Sequence, residues 1–220
     1  MKAPVAKLNK EEIIWLANHR CKHSSTYLEH YNCYKEEQKQ PTKVGFFDIE
    51  TSDLKANYGI MLSYCIKESD SKKIWFDTIT KQDLAGDLDK RLVKHCVEDM
   101  RRFDVVIGHY STKFDIPFVR TRALAWDLDF LKYGEIKHID VWYMARSLLC
   151  LNSNRQGTIA ETLQHEDIKS RITPYYWLRA LQGRQEAIDY ILDHNKRDVL
   201  QLEGNYKKLE AYSRKNQKRI

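Results

Sequence analysis

Acidic side chains stand inside or beside apolar runs at three places along the chain. Asp48 and Glu50 fall in Phe47-Asp48-Ile49-Glu50-Thr51, Asp115 ends the stretch Gly108-His109 through Phe114-Asp115, and Asp198 closes His194-Asn195-Lys196-Arg197-Asp198. Charged side chains are seldom driven into a core unless something compensates them. Four carboxylates that converge would hold about two divalent cations, an arrangement that serves phosphodiester chemistry.

Each acid also has a plainer explanation. Side chains two apart on a strand share a face, so Asp48 and Glu50 project together. A lone D-x-E is commonly a solvated strand end, but Phe46, Phe47 and Ile49 put this one on a central strand. Asp115 follows the cap-forming pair Ser111-Thr112 and sits near a helix N-terminus, where the dipole favours an anion and where capping is the simpler role. His194 and Asp198 lie one turn apart on a helix whose core seam is Ile188, Ile191, Leu192, Val199, Leu202 and Leu209. On a surface such a pair contributes only tenths of a kcal/mol. The order and context of the three strings, rather than any single one, point to a shared site.

Apolar runs predict the elements that must position these groups. Lys43–Ile49 follows the break at Pro41-Thr42 and reads as a buried strand. Gly59–Ile66 and Lys73–Asp77 read as two more strands antiparallel to the first, Asp104–Gly108 as a fourth and Glu135–Asp140 as a fifth. Helices are expected at Glu11–Asn18, Asp87–Arg102, Phe114–Ala125 and Val141–Leu149, with Pro117 tolerated in a first turn. The remainder is helical with a break near Pro174. Asp140 reads as the cap of the helix from Val141, not as a further ligand. The expected class is α/β, a mixed five-stranded sheet flanked by helices with a small N-terminal extension.

A chain of 220 residues buries one sizeable core, so one principal domain with appendages is expected: an extension over 1–40, a domain over 41–210 and a basic tail over 211–220. No apolar run is long enough to span a bilayer, and the start lacks the apolar core of a signal peptide. Five cysteines, an odd number, fit a reducing, intracellular and cytoplasmic setting better than a disulfide framework. The formal charge is +6, and residues 207–220 carry six bases against one acid. Such a segment could follow a polyphosphate backbone, or simply complement the dipole at a helix end.

Within the extension, Cys21, His23, His30 and Cys33 form C-x-H-x6-H-x2-C. Two thiolates and two imidazoles suit a tetrahedral structural Zn²⁺, although the spacing is not that of the usual finger and Tyr27 and Leu28 could instead anchor a helix.

From about Lys43 to Leu209 the chain resembles the DEDD exonucleases of the ribonuclease H-like fold, the DnaQ-like superfamily. The resemblance rests on Phe47–Thr51, Gly108–Pro117 and His194–Val199, in the family order and on the expected element types. It implies metal-dependent removal of nucleotides from 3′ ends, with Asp48, Glu50, Asp115 and Asp198 as ligands of two Mg²⁺ or Mn²⁺ ions. The flavour is that of stand-alone enzymes akin to polymerase proofreading domains. The family divides by its general base: a tyrosine four positions before the last aspartate, or a histidine five before it. Here the tyrosine-class position holds His194, Asp193 takes the other position, and Tyr190 is two turns from Asp198. His194 is expected to orient or deprotonate the attacking water, because an imidazole is better matched to neutral pH than a phenol. Thr51, His109, Tyr110 and Phe114 flank the acids and could hold the terminal nucleotide, the aromatics by stacking.

These features lead to a 3′–5′ exonuclease on single-stranded DNA or frayed ends, with RNA also open, since a 2′-OH contact depends on pocket geometry. Two alternatives compete: a structure-selective endonuclease on the same fold, and a non-catalytic nucleic-acid binding module with an altered centre at His194.

Overall fold

Five strands pair into one mixed sheet in the computed structural model, which describes residues 2–5, 8–37, 42–164 and 173–213. They are β1 (Val44–Thr51), β2 (Met61–Glu68), β3 (Ile74–Thr78), β4 (Val105–Gly108) and β5 (Lys137–Asp140), in the order β3-β2-β1-β4-β5. The central strand β1 pairs antiparallel with β2 and parallel with β4, and β4 pairs parallel with β5. Only β2 runs against β1. The third strand pairs antiparallel with β2 and so runs in the sense of β1, which corrects the expectation of two strands antiparallel to the first.

Helices follow in the chain order α1 (Lys10–Asn18), α2 (Tyr31–Glu37), α3 (Lys81–Ala85), α4 (Lys90–Met100), α5 (Asp115–Ala125), α6 (Val141–Leu148), α7 (Gln156–Thr162), α8 (Pro174–Leu181) and α9 (Gln185–Leu209). Alternation along β1 sorts its side chains between two layers. Phe47 and Ile49 join a core with Leu92, Val97, Ile116 and Val119 from α4 and α5. Phe46 joins the opposite core with Met144 from α6, Ile159 from α7 and Val199 and Leu202 from α9. Phe46 and Phe47 are both fully buried, each worth about 1.5–3 kcal/mol of apolar burial. The expected break at Pro174 is the first turn of α8, where proline costs no hydrogen bond.

The extension holds more order than its polar sequence suggests. Asn9 and Glu12 close a capping box on α1, each side chain accepting from the other's backbone N–H at 2.8 Å. A hairpin-like turn brings Arg20 opposite Thr26. Helix α2, unforeseen in the sequence, then leads back to the domain. Lys35 on α2 pairs with Asp104, whose carboxylate also accepts from the Lys43 backbone at 2.9 Å. The extension therefore meets the domain at the amino ends of β1 and β4. Of the basic tail, Arg214, Lys215, Lys218 and Arg219 lie outside the described residues. Lys207 sits on α9, where it pairs with Glu203 at 2.9 Å and Asp70 at 2.8 Å.

Candidate active site

Asp48 and Glu50 leave the carboxyl end of β1 toward α9. Asn195 of α9 donates its amide to Asp48 Oδ2 at 2.6 Å and accepts from Ser63 Oγ of β2 at 3.3 Å. His194 Nε2 lies 3.8 Å from Glu50 Oε1 and 3.6 Å from Asp198 Oδ2. Glu50, His194 and Asp198 each offer a ligand atom, and these atoms lie within 4.8 Å of one another. His194 is 6% and Asp198 2% exposed, so this i, i+4 pair is no surface pair.

Asp115 is the first residue of α5 and is 3% exposed. It follows the N-cap residue Phe114, and its Oδ1 accepts from the Ile49 backbone at 3.2 Å, between the two acids of β1. Ser111 and Thr112 do not cap α5 through their side chains. The amino end of that helix has no side-chain cap, and Ile116 N donates to the Ser111 carbonyl at 3.0 Å. Ser111 Oγ is instead bonded to His138 Nε2 at 2.8 Å. Burial pushes the His138 imidazole down to about 4, against a slight opposing pull from Asp140, so the ring is neutral at pH 7.

The loop leading to Asp115 is anchored to Asp140 by two backbone contacts. Asp140 accepts from Tyr110 N at 2.8 Å and Thr112 N at 2.9 Å, and caps α6 through Trp142 N at 3.0 Å. Asp140 is thus the expected cap and also a clamp on the neighbouring loop. Tyr110 takes φ +59°, and Gly108 lies so close to Ser111 that a Cβ there would sit 2.1 Å from its hydroxyl. Only glycine fits at 108.

The four acids open onto a cleft of about 1140 Å³. His109, Tyr110 and Phe114 line it, together with Trp142, whose ring meets Tyr110 at 5.3 Å. Lys55, Lys113 and Arg155 add positive charge to the walls. Thr51 stands apart. A register shift between Glu50 and Thr51 redirects the strand, the Thr51 hydroxyl donates to the Asp53 carbonyl at 2.8 Å, and the residue lines an adjoining hollow with Trp177 and Leu178. Tyr190 stacks on Tyr176 at 3.9 Å, and Asp193 is exposed. Of Tyr190, Asp193 and His194, it is His194 that lies beside the carboxylates of Glu50 and Asp198.

Sequence reasoning missed several neighbours of the acids. Asn195 stood inside a noted motif and, buried between two carboxylate-bearing positions, could have been singled out as a polar strut. Gln156, whose side-chain amide donates to the Asp198 carbonyl at 2.8 Å, carries no such signal, because 42 residues separate the partners. Trp142 follows the Asp140 cap, and only the fold turns it into the cleft. The Cys/His cluster lies elsewhere, in the extension: Cys21, His23, His30 and Cys33 come together there.

A sequence profile of the RNase H superfamily matches residues 45–210, most of the chain. The chain belongs to the RNase H superfamily. Among solved structures, a family B DNA polymerase from the hyperthermophilic archaeon Pyrobaculum calidifontis is similar, with a TM-score of 0.57 at 19% identity. The overlap covers 76% of this chain and 25% of the polymerase, so the likeness is one of fold and the chain spans about a quarter of that protein's length. No curated protein matches the chain.

Membership of that superfamily supports a nuclease, an enzyme whose substrate is nucleic acid and which generally uses divalent metal. The donor set suits that cofactor. Oxygen-rich carboxylate clusters favour hard cations over zinc or copper. Their concentrated negative charge is reflected in Cys65, paired opposite Asp48, whose thiol is pushed far up by burial and then by Asp48, Asp198 and Glu50.

Proposed function

We propose that the protein is a metal-dependent 3′–5′ exonuclease that hydrolyses phosphodiester bonds at nucleic-acid ends, with single-stranded DNA favoured. The observation that carries this reading is the approach of Glu50, His194 and Asp198 within 4.8 Å, on a cleft shared with Asp48 and Asp115. Asp48, Glu50, Asp115 and Asp198 would hold two Mg²⁺ or Mn²⁺ ions. Such ions, when bound, lower the pKa of water and stabilise charge on the phosphoryl and leaving oxygens.

The remaining work falls to this chain's own groups. His194 Nε2 accepts a proton from, or orients, the attacking water beside Glu50 and Asp198. Asn195 and the Ile49 N–H hold the carboxylates of Asp48 and Asp115 in place, so that little reorganisation is needed at the moment of reaction. Lys55, Lys113 and Arg155 attract the phosphate backbone, and Tyr110, Phe114 and Trp142 offer rings on which bases stack.

The test is a digestion time course on end-labelled DNA and RNA oligonucleotides and a circular single strand, with each metal. Stepwise shortening from the 3′ end, a preference for DNA, and no activity in Asp48→Ala or Asp198→Ala are expected. Cutting of the circle would mark an endonuclease, and binding without turnover in either metal a non-catalytic module; both outcomes overturn the proposal.

A further inference from the structure

The extension is too small to fold on apolar burial. Among the described residues its core comprises Ala3, Leu16, Cys21, Tyr27 and Tyr31, with Leu8, Leu28, Cys33 and Tyr34 packed at the margin. Independent units below about 40 residues usually need a disulfide, a metal or a partner. Yet the chain here follows a specific path. Cys21 N donates to the Ser25 carbonyl and Ser24 N to the Cys21 carbonyl, both at 2.9 Å, through a turn in which Ser24 takes φ +63°. That turn presents Cys21 and His23, while His30 immediately precedes α2 and Cys33 lies in its first turn.

The four ligand atoms meet at one point. Cys21 Sγ lies 3.8 Å from His23 Nδ1 and 3.5 Å from His30 Nδ1, and Cys33 Sγ lies 3.3 Å from His23 Nδ1. All four fall within 4.8 Å of one another. A tetrahedron with Zn–S near 2.3 Å and Zn–N near 2.0–2.1 Å has S···N edges of about 3.5 Å. The three measured separations centre on that value.

We propose that Cys21, His23, His30 and Cys33 bind a structural zinc ion. Four protein ligands complete the tetrahedron and leave no open position for a reacting water. On binding, both thiols lose their protons to solvent and both imidazoles bind in the neutral form through Nδ1. The two-thiolate, two-imidazole set selects zinc over the hard cations that suit the carboxylate cleft. The extension meets the domain through Lys35 and Asp104 at the amino ends of β1 and β4, whereas the acids leave the carboxyl end of β1. The zinc site and the cleft are thus separate.

The full chain, expressed with zinc in the medium and dialysed against a weak chelator, is expected to retain about one zinc per chain. Asp48→Ala should retain it too, and Cys33→Ser should lose it. Exchange with Co²⁺ should produce the visible d–d and thiolate charge-transfer bands of a tetrahedral site. A measurement without any variant is alkylation of the native protein, with the exposed Cys150 as internal control. Cys21 and Cys33 should be protected in the metal-loaded protein and react once a strong chelator strips it, while Cys150 reacts in both. A chain that takes up neither zinc nor cobalt, or one in which Cys21 and Cys33 form a disulfide under reducing conditions, overturns the proposal.

Discussion

Asn195 on α9 donates its side-chain amide to Asp48 on β1 at 2.6 Å, and it is fully buried. One side chain thereby ties the helix that carries His194 and Asp198 to the strand that carries Asp48 and Glu50. Outer partners of this kind fix the orientation of a ligand and are commonly worth 10–100-fold in metal affinity.

Asn195→Ala should raise the Mg²⁺ concentration for half-maximal nuclease activity by about 10–100-fold. Asn195→Asp should be worse, because it sets a second carboxylate against Asp48 and disfavours the ionised state of both. A metal titration of activity checks this. An unchanged Mg²⁺ requirement in both variants would remove Asn195 from the positioning role.

The buried His138 makes stability depend on acid. Its pKa is about 4 in the folded chain, against an ordinary value near 6.5, so the unfolded chain binds the extra proton between those values. Stability is then full above about pH 6.5, declines as the pH falls toward 4, and levels below it, for a total of about 3 kcal/mol. Urea midpoints at pH 7, 5.5 and 4 should show a shallower acid decline in His138→Gln than in the parent. Parallel declines would contradict it.

Gly108→Ala should destabilise by about 1–3 kcal/mol, since its Cβ would meet Ser111 Oγ at 2.1 Å and Ser111 Cβ at 2.4 Å. Adding Ser111→Gly removes both atoms and should recover part of the loss. Denaturant midpoints at constant m value decide the matter. A neutral Gly108→Ala would mean that the loop relaxes freely.

Trp142→Ala should weaken single-strand binding by about 1–3 kcal/mol per stacked base, seen as a KM raised roughly 5–150-fold with kcat much less affected. Steady-state kinetics on a short oligonucleotide separate the two. A fall in kcat alone would show that the ring supports the loop of Tyr110 rather than the substrate.

Much of the architecture was legible in local pattern. The strand at 44–51 announces itself through Phe46, Phe47 and Ile49, and the seam of α9 through Ile188, Ile191 and Leu202, because both periods report a buried face. The carboxylates were legible for the same reason: each stands where an apolar pattern demands something else. The partner of β3 was not, since an antiparallel neighbour leaves no mark on a short strand. Helix α2 was hidden because its apolar residues serve a small separate core. The backbone partner of Asp115 was not legible either, because Ile49 N lies 66 residues away and local spacing carries no trace of so distant a donor.

Asp48 and Glu50 owe their direction to the alternation of β1, with Phe47 and Ile49 on the other side. Sliding the strand by a single residue would trade the two sets, sending both acids into the oily layer beside Val97 and Ile116 and leaving hydrocarbon in their place. Ladders with β2 on one flank and β4 on the other oppose that slip. The backbone bonds that assemble the sheet are therefore also the alignment device of its chemistry, and a one-step misalignment would cost the molecule its centre and its core together.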